Sequence, residues 1–529
     1  MSDTSFQRDQ LLSQVDTSDI WDIVIIGGGA TGGGIAVDAA SRGYRTLLLE
    51  QSDFGKGTSS RSTKLIHGGV RYLEQGNLKL VTEALRERER LLHNAPHLVH
   101  DLSFVIPTSS RWSRFYYGLG LKAYDWLAGR QSFGRSQKIS AGETRNHLPG
   151  LKQGIFSGGV LYHDGQFDDA RLVINLMQTA VEQGAVTLNY CEVNELRKDS
   201  QNRISGVEFV DRESQQNYQV HANCVINATG PFSDAIRRLD DSQAPPLILP
   251  SRGIHLVLDR KFLGGSTAML VPKTRDGRVV FAIPWHDHCV LGTTDTPVSE
   301  PLLEPGVSPE EIDFLLETAA DYFDPAPTRD DILSTFSGLR PLVNPSGTMK
   351  SSKVSREHTL EVSESGLLSI AGGKWTTYRE MAEDCVNQAA EVADLPRTPS
   401  VTANLKLRGA DIDPSSSHHS GEWDTFGGDR RGIDELVKSH PDWGKRLIEE
   451  HQLTRAEVIW SVRQEMARTV EDILTRRERI LLLNVRVAKL LAEPVADILA
   501  EEMGRDPQWR NQQIAEFNKL ADSYLPSSD

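Results

Sequence analysis

The chain has 529 residues, with 58 Lys and Arg against 73 Asp and Glu, a formal net charge of −15. That length suits two to four domains with a large core, and 38% hydrophobic and 25% charged residues exclude global disorder. The acidic balance argues against delocalised binding to nucleic-acid phosphates, so no nucleic-acid partner is expected. A mean hydropathy of −0.38 and the lack of an uncharged apolar run of about 18 residues argue against an ordinary membrane-spanning helix.

Residues 1–20 form a polar leader with no apolar segment of the secretory type. Residues 23–26, IVII, have the length of a buried parallel strand. A helix follows over 35–41, ending at Gly43, and a second strand runs over 46–49. Between strand and helix, Gly27, Gly29 and Gly32 satisfy GxGxxG, with Gly28 and Thr31 inside the same loop. The first glycine allows the tight turn, the second a close backbone approach to a pyrophosphate, and the third close packing of helix on strand. Glu50 ends the second strand, where a carboxylate accepts hydrogen bonds from ribose hydroxyls and repels a 2′-phosphate, which disfavours NADP. The fingerprint alone leaves FAD and NAD open. Thr58, Ser59, Ser60 and Ser62 make a hydroxyl-rich loop just beyond, which read alone is an ordinary loop.

Residues 111–130, RWSRFYYGLGLKAYDWLAGR, mix aromatic and basic side chains in the manner of a helix lying at a lipid headgroup boundary. Trp112, Phe115 and Trp126 are the expected membrane contacts. The alternative is a core helix with solvated ends, and Gly118 and Gly120 count against a continuous helix. At 225–230, VINATG is a short strand ending in Ala228, Thr229 and Gly230, small enough for a nucleotide to approach. GIHLVLD, GRVVFAIPW and CVLGTTD alternate like an antiparallel sheet. At 367–379, LLSIAGGKWTTYR reads as a strand, a turn at Gly372 and Gly373, and a helix start that includes Thr376. The stretch 396–425 is polar and rich in Pro, Ser and Gly, typical of a linker. Beyond it Thr454 and Glu457 form a capping box. Ile459, Val462, Met466, Val470, Ile473 and Leu474 follow at helical spacing, and a further helix begins at Pro507. Those stripes suit core packing. Cys191, Cys224, Cys289 and Cys385 are too widely spaced for a CxxC pair, and their small number suggests a reducing compartment. His286, His288 and Cys289 lie close in sequence, but spacing alone is not a closed ligand set, and no metal is expected.

GxGxxG, a distant ATG and a final GGKxTTYR resemble the FAD-binding pattern of the D-amino-acid-oxidase-like flavoproteins. TSSRSTKLIHGGVRYLEQGNLKLVTEALRERERLL, SRGIHLV, IPWHDHCVLGTTD, SGLRPL and SREHTL, in that order, resemble the FAD-dependent glycerol-3-phosphate dehydrogenases within that superfamily. The resemblance runs from about Asp22 to Arg379, and EMARTVEDILTRRERILLL carries it into the C-terminal part. It implies an α/β fold with a Rossmann-like FAD-binding domain, an antiparallel-sheet substrate-capping domain and a helical C-terminal domain. The expected bounds are 21–95, 150–240 and 335–395 for the first, 96–149 and 245–334 for the second, and 400–529 for the third.

By the same resemblance, Arg71, Tyr72, Lys374 and Arg356 map to the phosphate of glycerol 3-phosphate, and His255 and Arg340 to the reacting hydroxyl. His255 is the candidate general base and Arg340 the stabiliser of developing negative charge. His67 is conceivable as a covalent flavin attachment point, but the resemblance implies no tether, so FAD is expected to be non-covalent. A single GxGxxG and no CxxC leave quinone or oxygen as electron acceptor, and the resemblance implies quinone. The expected location is the cytoplasmic side, peripheral on the inner face of the cell membrane, and a homodimer is one expected assembly. The alternatives are an oxidase that reduces oxygen, an amine or 2-hydroxy-acid flavoenzyme, and a flavin-binding scaffold or sensor at a membrane.

Overall fold

In the computed structural model, which describes residues 6–15, 19–69, 77–129, 133–343, 357–412 and 424–526, the apolar run Trp21–Ile26 is the centre of a parallel sheet. Thr46–Leu49 and then Val186–Leu188 pair on one side; Asn217–Asn227 and then Leu368–Gly372 pair on the other. Ile23, Val24 and Ile25 are fully buried, as a strand covered on both faces requires. Helix Ala30–Ser41 lies between Asp169–Glu182 and Tyr378–Val392. Cys191–Lys198, Ile204–Asp211 and the start of Asn217–Asn227 form an antiparallel meander that continues the sheet.

A second, ten-stranded sheet is built around the long antiparallel pairs Val99–Thr108 with Gly158–Phe167 and Ile248–Asp259 with Ile332–Val343. Val280–Trp285 and His288–Gly292 form a tight hairpin whose corner residues, His286 and Asp287, both have positive φ, at 43° and 58°. Three strands of this sheet carry residues assigned by sequence to the nucleotide-binding segments: Leu65–Ile66, Gly158–Phe167 and Ile332–Val343, the last of which crosses the bound at 334/335. Their hydrogen-bond ladders join them to the second sheet along their whole length, and nucleotide motifs nearby in sequence hide that pairing.

The C-terminal part is helical, with Arg430–Ser439, Arg455–Glu465, Val485–Met503 and Pro507–Asp522 as its main helices and one short hairpin, Arg446–Ile448 with His451–Thr454. It shares an apolar core with the second sheet, in which Val458, Ile473 and Leu499 join Phe104, Ile283 and Phe336. The capping box at Thr454 and Glu457 is present. The helical spacing read through Leu474 is interrupted: the helix stops at Glu465, and Met466 turns left-handed at φ 53°. Asp472 then accepts the backbone N–H groups of Arg468 and Thr469 at 2.8 and 3.1 Å, starting a separate turn over Asp472–Arg477. Met466, Val470, Ile473 and Leu474 are buried all the same. The described part of the polar leader also docks, since helix Arg8–Ser13 places Arg8 against Asp211 at 2.6 Å.

Candidate active site

The glycine loop opens a cavity of about 400 Å³ at the carboxyl end of the parallel strands. At Gly27 the backbone has φ 110°, and a side chain there would strike the Ala228 carbonyl at 2.7 Å. At Gly32 it would meet the Gly27 carbonyl at 1.9 Å, so helix and turn can close only around glycine. Gly27, Gly29, Thr31, Glu50, Thr58, Ser59, Ala228, Thr229, Gly230, Gly372, Gly373 and Lys374 all line the cavity. The start of helix Ala30–Ser41 lines it through Ala30 and Thr31; the Ala30 N–H is donated to the Ser59 hydroxyl at 2.9 Å, and the helix end would favour an anion there.

Both Glu50 carboxylate oxygens are engaged, one by the Gly28 N–H at 2.7 Å and the other by the Ser52 N–H at 2.9 Å. Burial pushes this carboxyl up, against the pull of those two donors. Each oxygen keeps a lone pair for a ribose hydroxyl. Bare backbone at the turn, a helix start and an anchored carboxylate fit the pyrophosphate and ribose of FAD.

Three expected cofactor contacts act from behind the wall. Gly28 is outside the cavity lining and holds Glu50 through its N–H. The Ser60 side chain is buried, and its carbonyl instead receives Lys64 Nζ at 2.7 Å and Arg479 at 2.9 Å. Thr376 is buried in the turn Trp375–Thr377, while its neighbour Trp375 lines the cavity and donates Nε1–H to the Ser59 carbonyl at 2.9 Å. For Ser60 and Thr376 the chain turn buries the side chain while a neighbour, Ser59 or Trp375, faces the cavity.

His255 and Arg340 lie on neighbouring strands of the second sheet. Pairing of Ser251 with Arg340, Gly253 with Gly338 and His255 with Phe336 puts His255 and Arg340 on one face. Arg340 donates to the Thr294 carbonyl at 3.0 Å and the Thr293 hydroxyl at 3.1 Å. A side chain at Gly253 would lie 2.5 Å from its guanidinium, so the glycine of SRGIHLV makes the space that Arg340 occupies. His255 is 2% exposed and stacks on Phe336 with ring centroids 4.7 Å apart. Burial, with Lys64 and Arg340 adding positive charge nearby, holds the imidazole well below its ordinary range and therefore neutral. The sheet meets the cofactor cavity here: Thr58 donates to the Leu339 carbonyl at 2.6 Å, and Pro341 lines the cavity.

Beneath this junction lies a set of ion pairs, all buried except the half-buried Lys56–Glu471, that sequence reasoning missed. Asp53 lies between Arg476 and Arg477, the latter at 2.6 Å. Arg171 forks onto Glu465 at 2.6 and 2.7 Å, and Lys56 meets Glu471 at 2.9 Å. Asp169 receives both Lys64 and Arg479 at 2.7 Å. Thus the segment 471–479 of the C-terminal part grips the loop 53–64, which lines the cofactor cavity through Gly55, Lys56, Gly57, Thr58 and Ser59. The run of TRRER was a visible signal, but Asp53 and Asp169, the partners that tie it to the rest of the site, stand more than 300 residues away.

Arg71, Tyr72 and Arg356 lie outside the described residues. His67 follows strand Leu65–Ile66 and is not in the cavity lining. His286 approaches Asp168 at 3.4 Å, and among the described residues no group of three or more His, Cys, Asp or Glu could hold a metal ion.

Helix Arg111–Ala128 is continuous through Gly118 and Gly120. Trp112 is 76% and Trp126 81% exposed, and Phe115, Tyr116 and Leu119 are exposed on the same side. Tyr124 points inward, donating to Asp164 and accepting the Gly68 N–H, both at 2.9 Å. No helix of the described residues is long and apolar enough to cross a membrane.

Residues 22–379 match the family model for FAD-dependent oxidoreductases, and residues 400–510 that for the C-terminal domain of alpha-glycerophosphate oxidase. The mitochondrial glycerol-3-phosphate dehydrogenase of Homo sapiens is 39% identical over 97% of this chain and 74% of its own length. That of Arabidopsis thaliana is 38% identical over 99% of this chain and 89% of its own. Among solved structures, the glycerol-3-phosphate dehydrogenase from Bacillus halodurans complexed with FAD is similar with a TM-score of 0.76 and 29% identity, covering 98% of this chain and 97% of that one. With matches of this extent across both the flavin-binding and C-terminal parts, the chain belongs to the FAD-dependent glycerol-3-phosphate dehydrogenase family.

Proposed function

We propose that the protein oxidises sn-glycerol 3-phosphate at C2 to dihydroxyacetone phosphate and passes the electrons to a membrane quinone. The observation that carries this reading is the pair of His255, buried and neutral, and Arg340 on one sheet face, with Arg340 next in the chain to Pro341, which lines the cofactor cavity; neither His255 nor Arg340 is itself in the lining. When bound without a covalent tether, FAD supplies the acceptor for the C2 hydride and its two electrons. Gly27, Gly29, Glu50, Thr58, Ser59, Thr229 and Gly373 hold it.

His255 takes the hydroxyl proton, and Arg340 stabilises the negative charge that develops on that oxygen. An imidazole held low by burial, and further by Lys64 and Arg340, gains a proton more readily once a phosphate dianion enters, because the dianion offsets those two charges. Lys374, at the cavity wall, joins Arg71, Tyr72 and Arg356 in holding that phosphate. The test is turnover with glycerol 3-phosphate and a soluble quinone under nitrogen, with the product identified. Formation of dihydroxyacetone phosphate at one mole per mole of quinol supports the reading, and no quinone reduction refutes the acceptor. Because the C-terminal match bears an oxidase's name, peroxide is assayed in air in parallel; oxygen turnover matching the quinone rate favours the oxidase.

The exposed aromatic side of helix Arg111–Ala128 is the proposed contact with the cytoplasmic face of the cell membrane. Trp112, Phe115 and Leu119 recur at helical spacing and Trp126 falls two turns further along the same side, with Arg111 and Lys122 available to lipid phosphates. Combined Trp112→Ser, Phe115→Ser and Trp126→Ser is expected to abolish flotation with anionic liposomes. Unchanged flotation rejects the surface.

A further inference from the structure

The turn before strand Leu65–Ile66 carries Thr63, whose hydroxyl oxygen lies 3.0 Å from His255 Nε2. The other ring nitrogen, Nδ1, is buried and has no hydrogen-bond partner among the described residues. One of the two must carry the proton of the neutral ring. A buried N–H left unbonded is rarer and costlier than an unbonded acceptor. The arrangement therefore favours the proton on Nε2, donated to Thr63.

Thr63 is held unusually firmly for a turn residue. Its two chain neighbours are both bound to Asp169: Ser62 through its backbone N–H at 3.0 Å and its hydroxyl at 2.7 Å, and Lys64 through Nζ at 2.7 Å. Arg479 reaches the same carboxylate at 2.7 Å from the C-terminal part. Asp169 thus fixes the peptide on each side of Thr63, and the hydroxyl has little freedom to leave the imidazole.

We propose that Thr63 is the positioning residue of the reaction: it accepts the Nε2–H of His255 and leaves the Nδ1 lone pair to receive the substrate's hydroxyl proton. The proposal rests on the reading of His255 as general base. The substrate O–H bond breaks and an Nδ1–H bond forms, while the electron pair of the C2–H bond goes to the FAD already required. Thr63 itself gains and loses nothing. The second bond, to a group that orients a histidine, selects its tautomer. The charged groups facing the ring are Lys64 from the same turn and Arg340 from the neighbouring strand, and neither can accept the Nε2–H.

The test compares Thr63→Val, Thr63→Ser and His255→Asn by anaerobic rapid mixing with glycerol 3-phosphate across pH, reading the flavin-reduction rate separately from the substrate Kd. Thr63→Val is expected to lower the limiting rate about tenfold or more, a part of the 10²–10⁴ that a positioned base supplies. Its Kd stays within about twofold and the acid limb of its pH profile shifts; Thr63→Ser restores both. Wild-type rate and profile in Thr63→Val, or a loss that Thr63→Ser does not restore, overturn the proposal. Nitrogen-15 spectra of histidine-labelled protein, with His255 assigned by loss of its signals in His255→Asn, give a reading independent of turnover. A proton on Nε2 in the wild type is expected, and a proton on Nδ1 overturns the assignment. If His255→Asn reduces the flavin at the wild-type rate, the base reading itself fails. If His255→Asn is slow while Thr63→Val is normal, only the positioning role fails.

Discussion

Glu50→Gln separates what the carboxylate does for the fold from what it does for the cofactor. In the wild type its two oxygens accept N–H groups from Gly28 at 2.7 Å and Ser52 at 2.9 Å. An amide retains one acceptor oxygen and turns an NH₂ toward the other N–H, so one charge-assisted bond is lost and two donors face each other. The loss is about 1.5–3 kcal/mol, and it falls on the apoprotein, because both bonds are within the chain. Cofactor affinity should fall in addition, since ribose hydroxyls lose an anionic acceptor. A similar 1.5–3 kcal/mol corresponds to roughly a 10- to 150-fold rise in Kd. The assay is titration of apoprotein with FAD, followed by flavin fluorescence, beside denaturant unfolding of the same apoprotein. The wild type adds a pH signature. Burial raises the Glu50 carboxyl, and hydrogen bonds from a ribose favour its charged form, so FAD affinity weakens as pH falls, beginning above the ordinary glutamate range. Lost apoprotein stability with an FAD Kd within about twofold of wild type would refute the ribose contact.

Other substitutions test the remaining parts of the site. Gly253→Ala puts a methyl group 2.5 Å from the Arg340 guanidinium; the flavin-reduction rate should fall markedly with little change in FAD binding, and a wild-type rate would show that Arg340 is not needed where it stands. Arg340→Leu should lower that rate far more than substrate affinity, by an order comparable to loss of an oxyanion donor, about 10²–10³, read by the same rapid mixing. Asp53→Asn leaves Arg476 and Arg477 buried without their shared carboxylate and should cost about 3–5 kcal/mol, seen as an earlier unfolding midpoint. Burial works to raise the Asp53 carboxyl, but Arg477 and Arg476 outweigh it and hold it below the ordinary range. Its stabilising contribution is therefore present above the unfolded carboxylate pKa and is lost as pH falls through the lowered value; acid unfolding in Asp53→Asn should lack that part of the transition.

The nucleotide half of the site was legible because its signal is local. Gly27, Gly29, Gly32 and Glu50 fall within 24 consecutive residues, and strand, turn and helix geometry fixes what each can do. The reacting half was reached only through resemblance. His255 and Arg340 are 85 positions apart, and only the register of two long strands shows that they share a face. Spacing along one chain contains no register between distant strands. The grip of segment 471–479 on the flavin loop was hidden for the same reason, although its arginines were plain to see. The break at Met466 was hidden differently: apolar periodicity continued through it, because residues on both sides of the left-handed turn are buried against the same core. Thr63 carried no signal at all, being one hydroxyl among several in a polar turn.

The most direct test of the account is the visible spectrum of the purified protein without oxygen, before and after addition of glycerol 3-phosphate, with glycerol and glycine as controls. Bound flavin bleached by the phosphate ester alone is the predicted result, since it requires the cofactor, the anion-binding cations and the proton acceptor together. A bound flavin that glycerol 3-phosphate leaves oxidised, or that glycine bleaches instead, would contradict the substrate and the roles given to His255 and Arg340.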